Sequence, residues 1–299
     1  MSEISGALPR SRSESQEVQF ASEQAWLGKM LNKWIEKGHV TPIILSPHCD
    51  DAEASMGGEM YILNRATRGK LIHIVVFSAG LDDVKSPYID HLLQRNGDQG
   101  LTTARQLYAE RKNEVLAADQ LLGIAKEQIS FLDFPDLPFR EAQQPSILYR
   151  ALKKRSFTLP YTSRDDRKVL HRLQEIFRKL QQSYENPIFF APIGGFRRHK
   201  DHQIVRQAVE EVFPEERTLY YDEYPYNLFH SPNRWVLKKC QASLAIIDGY
   251  QHRRYQALLC FPTQVPEISH KGQFLPPDAL PAERLFIPRS MLARIQSNR

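Results

Sequence analysis

Short apolar, β-branched runs set apart by helix-length stretches constrain this chain more than any other feature. Residues 40–45, 71–77 and 187–191 are apolar enough to be buried strands, and 129–132 and 218–221 read as further strands. Residues 51–67, 102–122, 166–183 and 201–213 read as helices, the second closed by Gly123. An earlier helix is expected over 21–38, where Trp26, Leu27, Met30, Leu31, Trp34 and Ile35 recur at helical spacing. Strands alternating with helices predict an α/β fold, a Rossmann-like three-layer αβα sandwich with a mostly parallel central sheet. In such sheets ligands bind beyond the carboxyl ends of the strands.

The rest of the chain is less regular. Residues 1–20 are polar and expected to be a disordered tail, leaving a single domain over 21–299. Residues 80–100 are polar and too long for a simple connector, which predicts a functional loop. A loop-rich insertion is expected at about 133–165, with a basic cluster of Arg150, Lys153, Lys154 and Arg155. Beyond Pro232, a strand-like 235–237, a helix over 250–259 and a Pro-rich tail are expected.

Composition excludes several classes. The net charge of +5 is spread along the chain, with no Lys/Arg block of the kind that marks a nucleic-acid footprint. No run approaches the roughly 18 apolar residues of a membrane span, and the first 19 residues have no apolar core that would make a secretory signal. Cys49, Cys240 and Cys260 have no paired spacing, which suggests a reducing, cytoplasmic setting. Oligomeric state is not legible.

Two polar segments interrupt this pattern at chemically telling places. Ser46-Pro47-His48-Cys49-Asp50-Asp51 follows the first strand, and His199-Lys200-Asp201-His202 follows the fourth. Either alone reads as a helix start or a solvated turn. A shared sheet would bring both to one end. A turn leaving the strand lets His48 and Asp51 reach one centre, and His202 would complete a set of three metal ligands with a position left open, as in catalytic zinc sites. Asp50 is placed as general base, His199 as the group that stabilises an oxyanion as imidazolium and protonates a leaving amine, and Asp201 as its orienting partner. The chemistry that fits is amide hydrolysis.

These residues, in order and spacing, resemble the PIG-L/LmbE-like de-N-acetylase family, zinc-dependent enzymes that remove N-acetyl groups, mostly from N-acetylglucosamine-type sugars. The likeness covers about residues 43–213. It includes Pro47-His48-Cys49-Asp50-Asp51, Gly57-Gly58, Ser78-Ala79-Gly80, Arg111-Lys112-Asn113-Glu114, Leu122-Gly123-Ile124, Phe131-Leu132-Asp133-Phe134-Pro135-Asp136 and the span from His199 to His202. The resemblance implies zinc (iron(II) is an alternative in the cell) on His48, Asp51 and His202, Asp50 as base, and His199 with Asp201 as an electrostatic pair. It also places Arg111 at the position that holds substrate in relatives. The ordinary reading of Arg111 is a helix-surface ion pair with Glu114 or a neighbour.

Gly57 and Gly58 are expected to permit close packing, and Gln264 to be structural. Cys49 stands where proline is usual and Ala52 where glutamate is usual. Cys49 is expected to be a small buried residue. Arg197 takes the place of a tyrosine found in some relatives and is a candidate contact for an anionic substrate group. Tyr220-Tyr221-Asp222-Glu223-Tyr224-Pro225-Tyr226 is expected at the mouth, its acids accepting sugar hydroxyls. The competing reading is a non-catalytic sugar- or nucleotide-binding protein on the same fold. Dinucleotide use is disfavoured because no Gly-x-Gly-x-x-Gly follows the first strand.

Overall fold

The computed structural model describes residues 35, 40–142, 164–194, 199–228, 240–245, 250–265 and 274–297. The helix expected over 21–38, the basic cluster of the insertion, the strand expected at 235–237 and Arg197 lie outside the described residues.

In chain order the elements are β1 (Thr41–Ser46), α1 (Asp51–Ala66), β2 (Ile72–Val75), α2 (Pro87–Asn96), α3 (Ala104–Leu121), β3 (Ile129–Phe131), α4 (Leu137–Ala142), α5 (Arg164–Ser183), β4 (Pro187–Pro192), α6 (Lys200–Val212), β5 (Thr218–Tyr221), β6 (Cys240–Ala245), α7 (Gln251–Leu258), β7 (Arg284–Pro288) and α8 (Arg289–Ser297). The strands form one sheet in the order β3-β2-β1-β4-β5-β7-β6. The first five are parallel, and β7 pairs antiparallel with both β5 and β6. This is the mostly parallel α/β sandwich that the alternation predicts.

Side-chain parity builds the three layers. Ile44, Val75, Ile188, Phe190 and Leu219 pack on one face against Met56, Met60 and Leu63 of α1 and Val115 and Ala118 of α3. Ile43, Leu45, Ile74, Phe189 and Ala191 pack on the other against Leu173 and Phe177 of α5 and Ile204, Val205 and Ala208 of α6. Because both faces are covered, β1 and β4 are buried at every position. That is why their sequences read as unbroken apolar runs.

Two expectations need correction. Residues 80–100 are not one structureless loop. Ser86 caps α2 by accepting a hydrogen bond from the Ile89 N–H (3.2 Å), and Pro87 stands at the first helical position, where its missing N–H costs nothing. The segment read as a loop-rich insertion carries the short helix α4 near its start. Finally, the Pro-rich C-terminal region carries β7 and α8, and β6 and β7 extend the sheet.

The chain leaves β1 toward β2 and β3 on one side, and leaves β4 toward β5 on the other. The strand order therefore reverses between neighbours β1 and β4, which pair from Thr41↔Pro187 to Ile44↔Phe190. Both polar motifs emerge at that switch point, where such sheets open a crevice.

Candidate active site

After β1 the backbone folds into a turn held by its own side chains. Ser46 Oγ donates to the His48 carbonyl (2.7 Å) and accepts from the Ala52 N–H (3.1 Å), while the His48 N–H donates to Asp51 Oδ2 (2.7 Å). Asp50 occupies the N-cap position of α1, yet its carboxylate makes no capping hydrogen bond and lines a cavity instead. The ordinary explanation for an acid at this place is thereby removed. In the second motif His199 does cap α6, its Nδ1 accepting from the Asp201 N–H (3.3 Å). His202 follows within the first turn and is 1% exposed.

The two motifs meet. His48 Nδ1 lies 3.0 Å from Asp51 Oδ2 and 3.3 Å from His202 Nε2, and His202 Nε2 lies 3.2 Å from Asp51 Oδ2. Four-coordinate zinc with ligand bonds of about 2.0–2.1 Å has ligand–ligand edges of roughly 3.3 Å, so this triangle is of the size that one small cation spans. The opposite ring nitrogens are also engaged. His48 Nε2 faces Asp136 Oδ1 and Asp201 Oδ2, each at 3.2 Å, and His202 Nδ1 faces Glu223 Oε1 at 3.1 Å. An imidazole that turns one nitrogen to a common centre and gives the other N–H to a carboxylate is the arrangement expected of metal-ligating histidine. The residues present fit a divalent ion.

Electrostatics point the same way. Burial alone would raise the Asp51 carboxyl, but His202 and His48 outweigh it and hold it well below the usual range. Burial opposes charge on His202, yet Asp51 and Glu223 prevail and push its pKa up to about 9. His48 is raised for the same reason by Asp136, Asp201 and Asp51 against burial. Without a cation this centre gathers protons, which a divalent ion would displace.

His199 behaves in the opposite way. Burial and the neighbouring His48 outweigh Asp201 and bring it down to about 4. The expected Asp201–His199 pairing is long, 4.0 Å between Oδ2 and Nδ1. Asp201 is taken up instead by His48, by the Leu137 N–H (3.1 Å) and by Arg140, whose guanidinium also reaches Asp166 (3.3 Å) and the Pro135 carbonyl (2.7 Å). An imidazole whose Nδ1 accepts from backbone carries its proton on Nε2. In the metal-free centre His199 is thus held toward its neutral form rather than the expected imidazolium.

The cavity holds about 430 Å3 and is walled by His48, Asp50, Asp51, Asp136, His199 and His202, with Tyr88, Arg111, Pro138, Tyr224, Pro225, Tyr226 and Gln264 around them. Arg111 is 4% exposed with its guanidinium over the Tyr108 ring (5.0 Å), so it is no surface ion pair. Glu114 instead binds Thr263 through its N–H (2.8 Å) and hydroxyl. Gln264, expected to be structural, faces the cavity.

In the run 220–226 only Tyr224, Pro225 and Tyr226 reach the cavity. Asp222 pairs with Arg284 (2.6 Å), and Glu223 holds His202 and the Gly194 N–H (2.8 Å), so neither acid meets a sugar hydroxyl as expected. Cys49 is buried among apolar side chains, which pushes its thiol well above the ordinary range. A β-carbon on Gly57 would lie 3.3 Å from the Arg254 backbone, and one on Gly58 2.8 Å from Glu283 Oε1, so both glycines do serve close packing.

Asp136, Glu223 and Arg140 have site contacts that sequence reasoning did not assign. Asp136 and Arg140 follow β3 at the carboxyl end of the sheet, and Glu223 follows β5 there. That position was the available signal.

A doubly wound sheet with a two-histidine, one-carboxylate centre at its switch point defines the architecture. The chain belongs to the PIG-L family: the family model described as GlcNAc-PI de-N-acetylase matches residues 43–213, more than half of the sequence. Solved structures share the fold. A zinc-inhibited form of the teicoplanin deacetylase Orf2 is 17% identical with a TM-score of 0.61, the match covering 82% of this chain and 96% of that one. The A40926 pseudoaglycone deacetylase Dbv21 is 16% identical with a TM-score of 0.60, covering 83% and 96%. A deacetylase–teicoplanin complex is 16% identical with a TM-score of 0.56, covering 82% and 96%. No curated protein matches the chain in sequence. Among the described residues no helix is long and apolar enough to cross a membrane.

Proposed function

We propose that this protein is a zinc-dependent deacetylase that hydrolyses the N-acetyl group of an N-acetylglucosamine-type amino sugar or its conjugate, releasing acetate and a free amine. The observation that carries the reading is the His48–Asp51–His202 triangle with Asp50 and His199 on the same cavity wall. Membership of the de-N-acetylase family supports the choice of an acetamide as substrate.

His48, Asp51 and His202 would hold the ion, with Asp201 and Asp136 on the far nitrogen of His48 and Glu223 on that of His202. When bound, the cation supplies a water acidified to a pKa of about 7 and polarises the scissile carbonyl. Asp50 has no capping duty and accepts the proton of the attacking water. His199 donates its Nε2–H to the carbonyl oxygen as charge builds there, a role a neutral imidazole can fill. With His199 uncharged, as in the metal-free centre, the proton that Asp50 collects would be the one delivered to the departing nitrogen. Arg111 and the mouth residues Tyr88 and Tyr226 would position the sugar, the two rings stacking on a pyranose face.

The test is an acetate-release screen over free, phosphorylated, nucleotide-linked and lipid-linked N-acetylglucosamine, with zinc kept near stoichiometric. Matched acetate and amine, lost on chelation, support the reading. Tight sugar binding by the zinc-loaded chain without acetate from any member would overturn it in favour of a binding protein.

A further inference from the structure

A second polar cluster lies inside the apolar layer between the sheet and α1 and α3, away from the cavity. His73 interrupts the apolar run of β2, Glu53 stands on the first turn of α1, and Asp119 lies near the end of α3. All three are fully buried, at 0% exposure, and their ligand atoms lie within 4.8 Å of one another. One contact organises them: His73 Nδ1 lies 2.7 Å from Asp119 Oδ2. In the ion-free cluster that nitrogen carries the proton, which moves to Nε2 when Nδ1 binds a cation.

The remaining atoms are unsatisfied. His73 Nε2, both oxygens of Glu53 and Asp119 Oδ1 have no hydrogen-bond partner among the described residues, and no Lys or Arg there forms a salt bridge with either acid. Buried carboxylates are costly unless paired or ligating, and four such atoms in one spot is far from the usual near-complete pairing of buried groups. Two carboxylates and a neutral imidazole carry two negative charges, which one divalent cation cancels.

We propose that Glu53, His73 and Asp119 form a second, structural cation site of the zinc class, separate from the cavity. The donors able to share one ion are the Glu53 carboxylate, His73 Nδ1 and Asp119, the ion taking the place of the proton between Nδ1 and Asp119 Oδ2. A separation of at most 4.8 Å leaves each donor less than about 1 Å from a normal zinc bond to a shared centre. Nitrogen and oxygen donors alone suit zinc, iron(II) or manganese(II), and exclude a thiolate-selective ion. The site would pin β2, α1 and α3 together directly behind the turn that carries Asp50 and Asp51.

The experiment is metal analysis of the full chain produced with Zn2+ as the only added transition metal. The expected content is about two ions per chain in the parent, about one in Glu53→Gln and about one in His202→Ala, because the two sites share no ligand. The proposal is overturned if His202→Ala is metal-free, or if Glu53→Gln holds as much zinc as the parent; protons would then neutralise the cluster. Should Glu53→Gln be insoluble, His202→Ala decides alone. The proposal does not rest on the reading of the cavity: zinc retained by both parent and His202→Ala at about one per chain supports the buried site while contradicting the other.

Discussion

Replacing Arg140 with methionine should show how firmly the second shell of the cavity is built. The guanidinium is 7% exposed, lies over the Phe77 ring (4.7 Å) and is shared by two carboxylates, Asp201 at 0% and Asp166 at 2% exposure. Methionine fills the stem but leaves both carboxylates without that cation. Breaking a buried pair by removing one partner costs about 3–5 kcal/mol. In a chain of this size each kcal/mol moves the melting temperature by about 2–4 °C, so a fall of roughly 6–20 °C is expected at neutral pH, with metal content held equal. The sign with pH follows from Asp201, where Arg140 and the histidines overcome burial and depress its pKa. A depressed carboxylate contributes stability above its unfolded value, and that contribution is lost as pH falls through the folded one. The gap between parent and variant should therefore hold down to about pH 4, the unfolded carboxylate value, and narrow on further acidification. Differential scanning calorimetry at several pH values measures it. A shift under about 2 °C, or one that ignores pH, would refute the reasoning.

Other consequences are as direct. Glu223→Gln should weaken zinc affinity about 10–100-fold in a chelator competition, because the charge behind His202 is lost while a hydrogen-bond acceptor remains. In the metal-free chain His202 is raised to about 9, so its contribution is full below its unfolded value of about 6.5 and disappears as pH rises through about 9. Zinc affinity should move the other way, rising over the same window, and calorimetry in buffers of different ionisation enthalpy should detect at least about one released proton per ion near pH 7.5; a pH-independent affinity would contradict this. Gly58→Ala should cost about 1–3 kcal/mol in a denaturant titration, since its β-carbon would meet Glu283 and Tyr250 at 2.8 and 3.1 Å.

How much of this was legible in the sequence depended on which force set each element. β1 and β4 are buried on both faces and therefore announce themselves as apolar runs. The His48–Asp51–His202 triangle was legible because its residues sit beside those strand ends. β6 and β7 were missed because an antiparallel edge needs no such run, and Arg284–Pro288 lies among prolines that read as tail. The helix Pro87–Asn96 was hidden by its polarity, although Ser86-Pro87 is a start signal. The protonation of His199 could not be read from its neighbours in sequence. It follows from burial and from His48, some 150 positions away, while the adjacent Asp201 is turned toward Arg140. Asp136 and Glu223 gain their roles from distances that only the packed sheet sets.

Zinc content and acetate release, measured on the same samples of the parent, Asp50→Asn and His202→Ala, test the central claim most directly. Asp50→Asn should keep its cavity zinc yet lose about 100- to 10,000-fold in turnover, and His202→Ala should lose both that ion and activity. Parent-like turnover by Asp50→Asn, or undiminished zinc in His202→Ala, would contradict the account.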